Sequence, residues 1–324
     1  MMPSPLLGVL RLLSHERFQS GQWIAQRLGC SRATVHNAIL RASEAGVPVH
    51  AVHGRGYRLA APLSWLDGDG LAGKLAPIGI SLRCHDEIDS TNADLMAWTQ
   101  AGAPHRAAVT AESQTRGRGR RGREWRAGLG AGLMFSLLWR SGRPAAELSG
   151  LSLAVGAILA DAIRSLGVSG ARVKWPNDIL VDDAKLAGVL IELNGDMLGP
   201  SAAIIGVGIN VTGGQELSAS IGQPVTDLHR HIGYVDRNDL LVTLLSRLSQ
   251  DLALFEARGF PAFRESWQAC HVHQDREVAI ESAGGGRVVG RARGVDEQGA
   301  LLLETDSGLR RILSGEVSLR AVVP

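Results

Sequence analysis

The segment VKWPNDILVDDAKLAGVLIEL, residues 173–193, begins with a strand-like run that is broken at a proline. Pro176 favours an extended conformation at Trp175 and ends any helix at this point. Lys174, Asn177 and Asp178 are therefore predicted to lie at a strand-to-turn corner. Such a corner presents side chains at the edge of a sheet, where polar groups can face a pocket.

A second strand is predicted to begin at Lys185, with Gly188 inside it. A glycine within a strand is typical of a place where a flat ligand approaches the backbone. A structural bulge beside a surface lysine explains the same pattern, and the segment alone does not separate these interpretations.

Lysine is rare in this chain, because 31 of the 34 basic residues are arginines and only Lys74, Lys174 and Lys185 are lysines. Arginine therefore supplies the generic positive charge. A lysine is expected where a compact ammonium group is needed, since the planar guanidinium of arginine cannot replace it. Two of the three lysines lie in the segment just described.

The segment QTRGRGRRGREW, residues 114–125, holds five arginines and three glycines between residues 116 and 125. Glycine disfavours helix and strand, and the like charges repel, so we expect a loop that is disordered until an anion binds. Its guanidinium and backbone N–H groups suit a triphosphate or an acyl-phosphate. GRGRRG also matches a dinucleotide-binding pattern, but a strand-like run follows it where that pattern needs a helix. An RNA-binding RGG tail is another alternative, but such tails are long, repeated and terminal, whereas this segment is short and internal.

Two further motifs carry polar groups and glycines. GVGIN, residues 206–210, places two glycines in an apolar strand and ends at Asn210. DSTN, residues 89–92, precedes a helical pattern and reads most simply as a helix N-cap. A cap can still leave one hydroxyl or amide free to face a pocket.

The first 62 residues are predicted to form a winged helix-turn-helix. Helices are expected over 5–14, 21–29 and, after an N-cap at Ser31, to Gly46, followed by a strand pair around HGRG (53–56). Seven arginines against two glutamates give this part a net charge of +5. The charge favours DNA over the alternative, a dimerisation or peptide-binding unit. The residues predicted to contact DNA are Arg32, Thr34, His36, Asn37, Arg55 and Arg58.

The complete chain is predicted to be an α+β multidomain protein. Its parts are the winged helix-turn-helix (1–62), a linker (63–79), a mixed α/β domain (80–270) and a small C-terminal SH3-like β-barrel (271–324). The chain has 324 residues and a net charge of +2, and it lacks an uncharged apolar run of about 18 residues, the length that crosses a bilayer. The three cysteines are far apart and show no metal-ligand spacing. We expect a cytoplasmic protein with no membrane segment and no protein metal site.

EIDSTN, QTRGRGRRGREW, KWPNDIL, KLAGVLIEL and GVGIN follow one another in the order and approximate spacing of biotin–protein ligases, and the chain resembles that family. Residues 299–320 look like the last domain of the family. With its first domain, the chain is similar to the bifunctional type that is both ligase and biotin operon repressor. This resemblance implies that the mixed domain activates biotin with ATP, and that the first domain binds operator DNA.

The resemblance also implies roles for individual residues. Lys185 and Arg118 would be catalytic. The biotin-binding residues would be Ser90, Thr91, Asn92, Gln114, Arg118, Gly119, Arg120, Lys185, Gly188, Gly206 and Gly208. The residues that bind ATP or the adenylate would be Gly117, Arg118, Arg121, Arg123, Trp125, Lys174, Asn177 and Asn210.

The implied substrates are biotin and ATP, with Mg²⁺ accompanying ATP. The implied partners are a lysine of the biotin carboxyl carrier protein, operator DNA and a second copy of the chain. Two rival functions stay open: a transcription factor that only senses a ligand, and a lipoate-type protein ligase. A base for the transfer step is not evident in the sequence, although Asp178 is a candidate.

Overall fold

The computed structural model describes residues 5–195, 199–282, 286–313 and 317–321, which contain sheets of two, seven and five strands. The N-terminal part consists of α1 (Pro5–Leu12), α2 (Gly21–Leu28), α3 (Arg32–Glu44) and the antiparallel hairpin of β1 (Val49–Val52) and β2 (Gly56–Leu59). Ser20 and Ser31 cap α2 and α3 by accepting hydrogen bonds from backbone N–H groups. The predicted three helices and wing are therefore confirmed.

The segment 63–79, predicted to be a linker, contains helix α4 (Gly68–Leu75). Asp67 caps this helix, and Leu71 and Leu75 are buried in the core of the central domain. The connection is thus packed against the body, which three glycines in the helix made difficult to predict.

The central domain is a seven-stranded sheet in the order β3-β4-β5-β9-β8-β7-β6. Its strands are β3 (Ser81–Ile88), β4 (Ala107–Gln114), β5 (Gly132–Ser141), β6 (Arg172–Lys174), β7 (Asp178–Val181), β8 (Ala184–Gly195) and β9 (Ser201–Asn210), of which only β3 and β4 pair in parallel. Its helices are α5 (Thr91–Gln100), α6 (Leu151–Ser165), α7 (Gly214–Ile221), α8 (Leu228–Ile232), α9 (Arg237–Arg258) and α10 (Pro261–Ala269).

Alternation along β5 divides the sheet into two faces. Leu133, Phe135 and Leu137 belong to the main core with α6 and α9, whereas Leu138 packs with Leu95 of α5. Because successive strand residues point to opposite faces, the even-numbered positions of β5 face away from the main core. The functional residues described below lie on that second face.

A buried ion pair joins the connection, the sheet and α9. Arg237 donates to Glu112 on β4 at 2.5 Å, to the Ser64 carbonyl at 2.7 Å and to the Gly132 carbonyl at 3.0 Å. Glu112 also accepts from the Leu66 N–H at 2.5 Å. Both charged side chains are at most 1% exposed. Arg11 Nη2 of α1 also lies 3.9 Å from Glu112 Oε1, so the buried charges are balanced by partners from several segments.

The C-terminal strands are β10 (Glu277–Ser282), β11 (Arg287–Val295), β12 (Leu301–Thr305), β13 (Gly308–Ile312) and β14 (Val317–Ala321). They form an antiparallel sheet in the order β13-β12-β11-β10-β14. No hydrogen-bonded closure joins β13 to β14 in the described ranges, so the predicted SH3-like barrel is not confirmed. Leu301 and Leu303 share the core of the central domain, which docks this sheet on it.

One segment, Ala145–Ser165, is long and apolar enough to cross a membrane by length and composition. However, 67% of its most apolar 18-residue stretch is buried inside the protein. This is the behaviour of a core helix in a soluble protein. All three cysteines are free thiols.

Two histidines are buried where the C-terminal sheet meets the central domain. His271 is 0% exposed and stacks on Trp267 with ring centroids 4.5 Å apart, and its two ring nitrogens have no hydrogen-bond partner in the described part of the chain. Burial lowers the pKa of His271 to about 3 and that of His273 to about 4. Both rings are therefore neutral in the folded protein near neutral pH.

We expect the free energy of unfolding to fall as the pH drops from about 6.5 towards 4, because the unfolded chain then binds protons that the folded histidines exclude. His271→Phe keeps a ring on Trp267 and removes one titrating group, so this slope should become shallower by roughly 1 kcal/mol per pH unit. Thermal unfolding between pH 4 and 8 measures the effect. His53→Gln, at an exposed position of the wing, should retain the wild-type slope, and an unchanged slope in His271→Phe would contradict the assignment.

Candidate active site

One cavity lies over the central strands of the seven-stranded sheet, and its floor is a patch of sheet with few side chains. Gly208 on β9 pairs with Gly188 on β8 and with Met134 on β5, and Gly206 pairs with Leu190 and Ser136 in the next rows. Gly188, Gly206 and Gly208 lie on the face opposite the main core. Because they have no side chains, other groups can approach the backbone of the central strands closely on this face.

Two side chains from other segments lie directly on the strand glycines. A Cβ atom at Gly206 would overlap the amide of Asn92, and one at Gly208 would overlap the indole of Trp125. Asn92 is 3% exposed. The indole Nε1 of Trp125 is buried and has no hydrogen-bond partner in the described residues. A donor of this kind inside a cavity is suited to an acceptor on a ligand.

A chain of polar side chains connects the first residues of α5 to the floor. The Gln114 side-chain oxygen accepts from the Thr91 N–H at 2.7 Å and from its hydroxyl at 3.2 Å. Ser136 Oγ lies 2.8 Å from Thr91 Oγ1 and donates to Asn92 Oδ1 at 2.5 Å. Ser90 occupies the N-cap position of α5 but makes no side-chain capping bond. Gln114 supplies that bond, and the Ser90 hydroxyl is left to line the cavity.

Lys185 is held from several sides. Its Nζ lies 2.7 Å from Asp178 Oδ1 and 5.7 Å from the centroid of the Trp125 ring. Its backbone donates to the Pro224 carbonyl at 2.9 Å and accepts from the Thr226 N–H at 3.0 Å. The ammonium is thus fixed at the edge of the floor, beside the corner predicted around Pro176.

The arginine-rich segment forms a narrow hairpin-like turn, whereas the sequence predicted a loop without regular structure. Trp125 N–H donates to the Gly117 carbonyl at 2.9 Å, Gly119 N–H donates to the Arg123 carbonyl at 2.7 Å, and an antiparallel bridge pairs residues 118 and 124. The glycines permit these close backbone contacts. Whether the turn is ordered only with an anion stays a prediction.

Two arginines of this turn reach groups on the sheet. Arg118 Nη2 donates to Glu192 Oε2 on β8 at 2.8 Å, and Arg120 Nη1 donates to Asn177 Oδ1 at 3.4 Å. Burial lowers the pKa of the Arg120 guanidinium. The turn therefore brings positive charge to the mouth of the cavity.

The structure gathers most of the predicted ligand-binding residues around one cavity: Ser90, Thr91, Asn92, Gln114, Arg118, Gly119, Arg120, Arg123, Trp125, Asn177, Lys185, Gly188, Gly206 and Gly208. Four others do not line it. Gly117 packs against the Trp125 backbone, and Arg121 is exposed. The charge of Lys174 lowers the pKa of His273 at the C-terminal junction. Asn210 donates to the Lys185 carbonyl at 3.2 Å and lines a neighbouring cavity between the N-terminal and central domains.

Sequence reasoning missed Ser136, Leu190, Glu192 and Gln223. Leu190 and Gln223 line the cavity, whereas Ser136 contacts the side chains of Thr91 and Asn92 that line it. Glu192 contacts Arg118 and Asn92 at its edge. A usable signal existed, because Gly188, Leu190 and Glu192 alternate along one strand and must share a face.

In the N-terminal domain, the predicted DNA-contacting side chains are mostly exposed. Arg32, His36 and Asn37 are exposed on α3, whereas Thr34 Oγ1 lies 2.9 Å from the capping Ser31 hydroxyl. Arg55 and Arg58 of the wing lie over the Phe18 ring at 4.7 and 5.1 Å. The helix and the wing thus carry positive charge on the same small domain.

The fold and the site together define a protein that joins a helix-turn-helix domain to an enzyme-like cavity lined by polar side chains, strand glycines and cations. A model of the biotin/lipoate A/B protein ligase family matches residues 85–210. Models of the biotin protein ligase C terminal domain and of an HTH domain match residues 273–320 and 6–58.

Named relatives match along nearly the whole chain. The bifunctional ligase/repressor BirA of Salmonella typhimurium is 37% identical over 318 residues, which is 97% of both chains, and that of Escherichia coli is 36% identical over the same length. A solved structure, the biotin protein ligase from Aquifex aeolicus in complex with biotin and ATP, aligns with a TM-score of 0.65 and 32% identity over 75% of this chain and 99% of that one. The chain therefore belongs to the biotin/lipoate A/B protein ligase family.

Gly206→Ala should weaken the binding of biotin, the ligand that the resemblance implies, by about tenfold or more, because its methyl group displaces the Asn92 amide and overpacking of this kind costs 1–3 kcal/mol. Isothermal titration calorimetry measures the affinity. The matched control is Gly73→Ala, where an added Cβ meets nothing within 4 Å and binding should not change. Equal affinities in the two variants would show that Asn92 is not needed at this place.

Proposed function

We propose that this protein activates biotin with ATP to form biotinyl-5'-adenylate, and then transfers biotin to a lysine of a biotin carboxyl carrier protein. The observation that carries the proposal is the convergence of a polar chain, a fixed ammonium group and an arginine turn on one glycine-floored cavity. Relatives of matching length are named ligase/repressors, which supports the same activity.

The polar chain suits the ureido ring of biotin. This ring offers one strong carbonyl acceptor and two N–H donors, so hydroxyl and amide side chains are fitting partners. Ser90, Thr91, Asn92 and Gln114 provide these groups at the inner end of the cavity. Gly206 lies beneath Asn92, Gly208 beneath Trp125 and Gly188 beside Lys185, so the floor under the cavity carries no side chain at these positions.

The cationic end suits the reacting groups. When a biotin carboxylate attacks the α-phosphate of ATP, two anions are brought together, and cations must offset their repulsion. Lys185, Arg118 and Arg120 hold positive charge where negative charge develops, which is the arrangement that lowers a transition-state barrier. Arg123 and Trp125 lie nearby, and closure of the 116–124 turn would keep water from the mixed anhydride.

Mg²⁺ is expected to accompany ATP. A group of three or more His, Cys, Asp or Glu side chains suited to a metal is not found in the part of the chain that the structure describes. Mg²⁺ is commonly carried by substrate phosphates together with one or two carboxylates, and the ion is proposed to enter with the phosphates of the nucleotide.

Asp178 pairs with the Lys185 ammonium at 2.7 Å. This contact favours a role in positioning Lys185. In the transfer step, the acceptor lysine must lose a proton before it attacks the activated carbonyl. Asp178 can accept that proton only if its carboxylate first separates from the Lys185 ammonium.

A lipoate-type ligase shares the chemistry of carboxylate activation, and a ligand-sensing repressor shares the cavity. The hydroxyl and amide groups at the inner end favour a ureido ring over an apolar dithiolane. Incubation with ATP and either biotin or lipoate, followed by mass detection of the acyl-adenylate, separates the three functions. Biotinyl-adenylate alone is expected.

Lys185→Arg should lower the rate of biotinyl-adenylate formation by roughly 10²–10³-fold, because a guanidinium cannot occupy the compact site between Asp178 and Trp125. Pyrophosphate release under single-turnover conditions measures the rate. Lys74→Arg is the control, since Lys74 forms an exposed pair with Asp239 at 2.8 Å and should keep the wild-type rate. Near-normal activity of Lys185→Arg would end the assignment.

We further propose that the N-terminal domain represses transcription by binding operator DNA, and that the protein does so as a homodimer in the cytoplasm. Arg32, His36 and Asn37 would enter the major groove, and Arg55 and Arg58 would contact phosphates. Thr34, at the start of the same helix as Arg32, would contact DNA from its first turn. The proposed division is 1–62, 63–79, 80–270 and 271–324, with the last unit as an SH3-like barrel.

Arg32→Ala should weaken operator binding by 1–3 kcal/mol if Arg32 reads a base. If Arg32 contacts only phosphate, binding should weaken at all sequences alike and the salt dependence should fall by roughly one unit of slope. Mobility shifts with the promoter of a biotin-synthesis operon, at several salt concentrations, measure both effects. Arg310→Ala, an exposed arginine of the C-terminal sheet, should leave binding unchanged. No shift by the wild-type protein would argue against the repressor function.

A further inference from the structure

Glu192 on β8 lies where the arginine turn meets the polar chain. One oxygen of its carboxylate, Oε2, accepts from Arg118 Nη2 at 2.8 Å and from Asn92 Nδ2 at 2.8 Å. The side chains of Arg118 and Glu192 are 45% and 27% exposed. One acidic group therefore contacts both the turn at the mouth of the cavity and the buried amide at its inner end.

The carboxylate determines which way the Asn92 amide points. An ionised carboxylate only accepts hydrogen bonds, so the NH₂ group of Asn92 must face Glu192. The Asn92 oxygen must then face Ser136, whose hydroxyl donates to it at 2.5 Å. The Asn92 NH₂ group also donates to the Leu190 carbonyl, but at a longer 3.4 Å, so the carboxylate at 2.8 Å is its stronger partner. Without that carboxylate, the amide would be held in this orientation less firmly, and in the reversed orientation the donors and acceptors offered to a ligand would be exchanged.

The same carboxylate holds Arg118 against the sheet. An acidic group beside a cavity for two anionic substrates weakens their binding unless a positive group offsets its charge. Here its charge is matched by Arg118, and the pair fixes one arginine of a turn that is rich in glycine and arginine. The strand position of Glu192 is set by the sheet, so the turn is attached to a rigid element.

We propose that Glu192 is a positioning residue that couples the two ends of the site: it orients the Asn92 amide for the biotin ring and holds Arg118 over the reacting groups. The inference rests on the proposed roles of Asn92 and Arg118. Glu192 itself touches no reacting atom in this scheme. Its effect passes through its two partners.

Two substitutions separate the two contacts. Glu192→Gln keeps an oxygen that accepts from Asn92 but removes the charge that attracts Arg118. Biotin affinity should stay within about threefold of wild type, while trypsin should cut the 116–124 turn several times faster without ligands and kcat for adenylate formation should fall about tenfold. Glu192→Ala removes both contacts, so the dissociation constant of biotin should also rise about tenfold.

A double-mutant cycle with Arg118→Ala tests whether the pair acts as a unit. If it does, Glu192→Ala should add little to the loss of kcat already caused by Arg118→Ala. The matched control is Glu304→Gln, which removes a comparable exposed pair with Arg293 at 2.8 Å on the C-terminal sheet. This control should change neither the cleavage of the turn nor biotin affinity.

The proposal is overturned if both Glu192 variants match the control in cleavage rate and biotin affinity. It is also overturned if the Glu192 variants lower the thermal midpoint and reduce all kinetic constants by the same factor, because that pattern indicates general destabilisation. Cleavage of the turn without ligands does not depend on activity. A wild-type protein that forms no adenylate would therefore reject the proposed ligation and leave the test of the Arg118–Glu192 contact standing.

Discussion

The buried contact between Arg237 and Glu112 holds together the parts of the chain on which the site depends. Removing one partner of such a pair leaves an uncompensated buried charge, which costs about 3–5 kcal/mol. The pair fixes the carbonyl of Gly132, the first residue of β5, and β5 supplies Met134 and Ser136 to the site. The position of the cavity floor is thus linked to a contact on the opposite side of the strand.

The same pair brings the N-terminal domain close to the catalytic sheet. Ser64 and Leu66, which bind Arg237 and Glu112, directly follow the wing, and Arg11 of α1 reaches Asp86 on β3 at 2.8 Å. A movement of the first domain would have to be absorbed by the few residues between Leu59 and Ser64. Two sites that share such a connection can influence each other's binding equilibria, provided that each ligand prefers one arrangement of it.

Local sequence patterns predicted the helices of the first domain, the strands of the site and the corner at Pro176, because caps, prolines and strand alternation act over a few residues. They did not predict α4, since three glycines in eight residues oppose a helix and the packing of Leu71 and Leu75 overrides them. The Asn92–Glu192 bond could not be inferred either, because it joins residues 100 positions apart. Closure of the last sheet into a barrel, expected from its short alternating strands, depends on long-range pairing that the strands themselves do not encode.

The charge pattern of the site explains how its cations can be held in a partly buried cavity and still discriminate between anionic ligands. Lys185 is paired with Asp178, and Arg118 with Glu192, so these two positive groups each have a carboxylate partner on the sheet. This pairing offsets the cost of holding cations in a partly buried cavity and sets their direction. An anionic substrate must compete with those carboxylates, so a ligand that brings a single charge to the wrong place gains little. In the proposed binding of biotin and ATP, a molecule with anionic groups near both cations, and with a polar ring on the Asn92 side, would recover the full set of contacts.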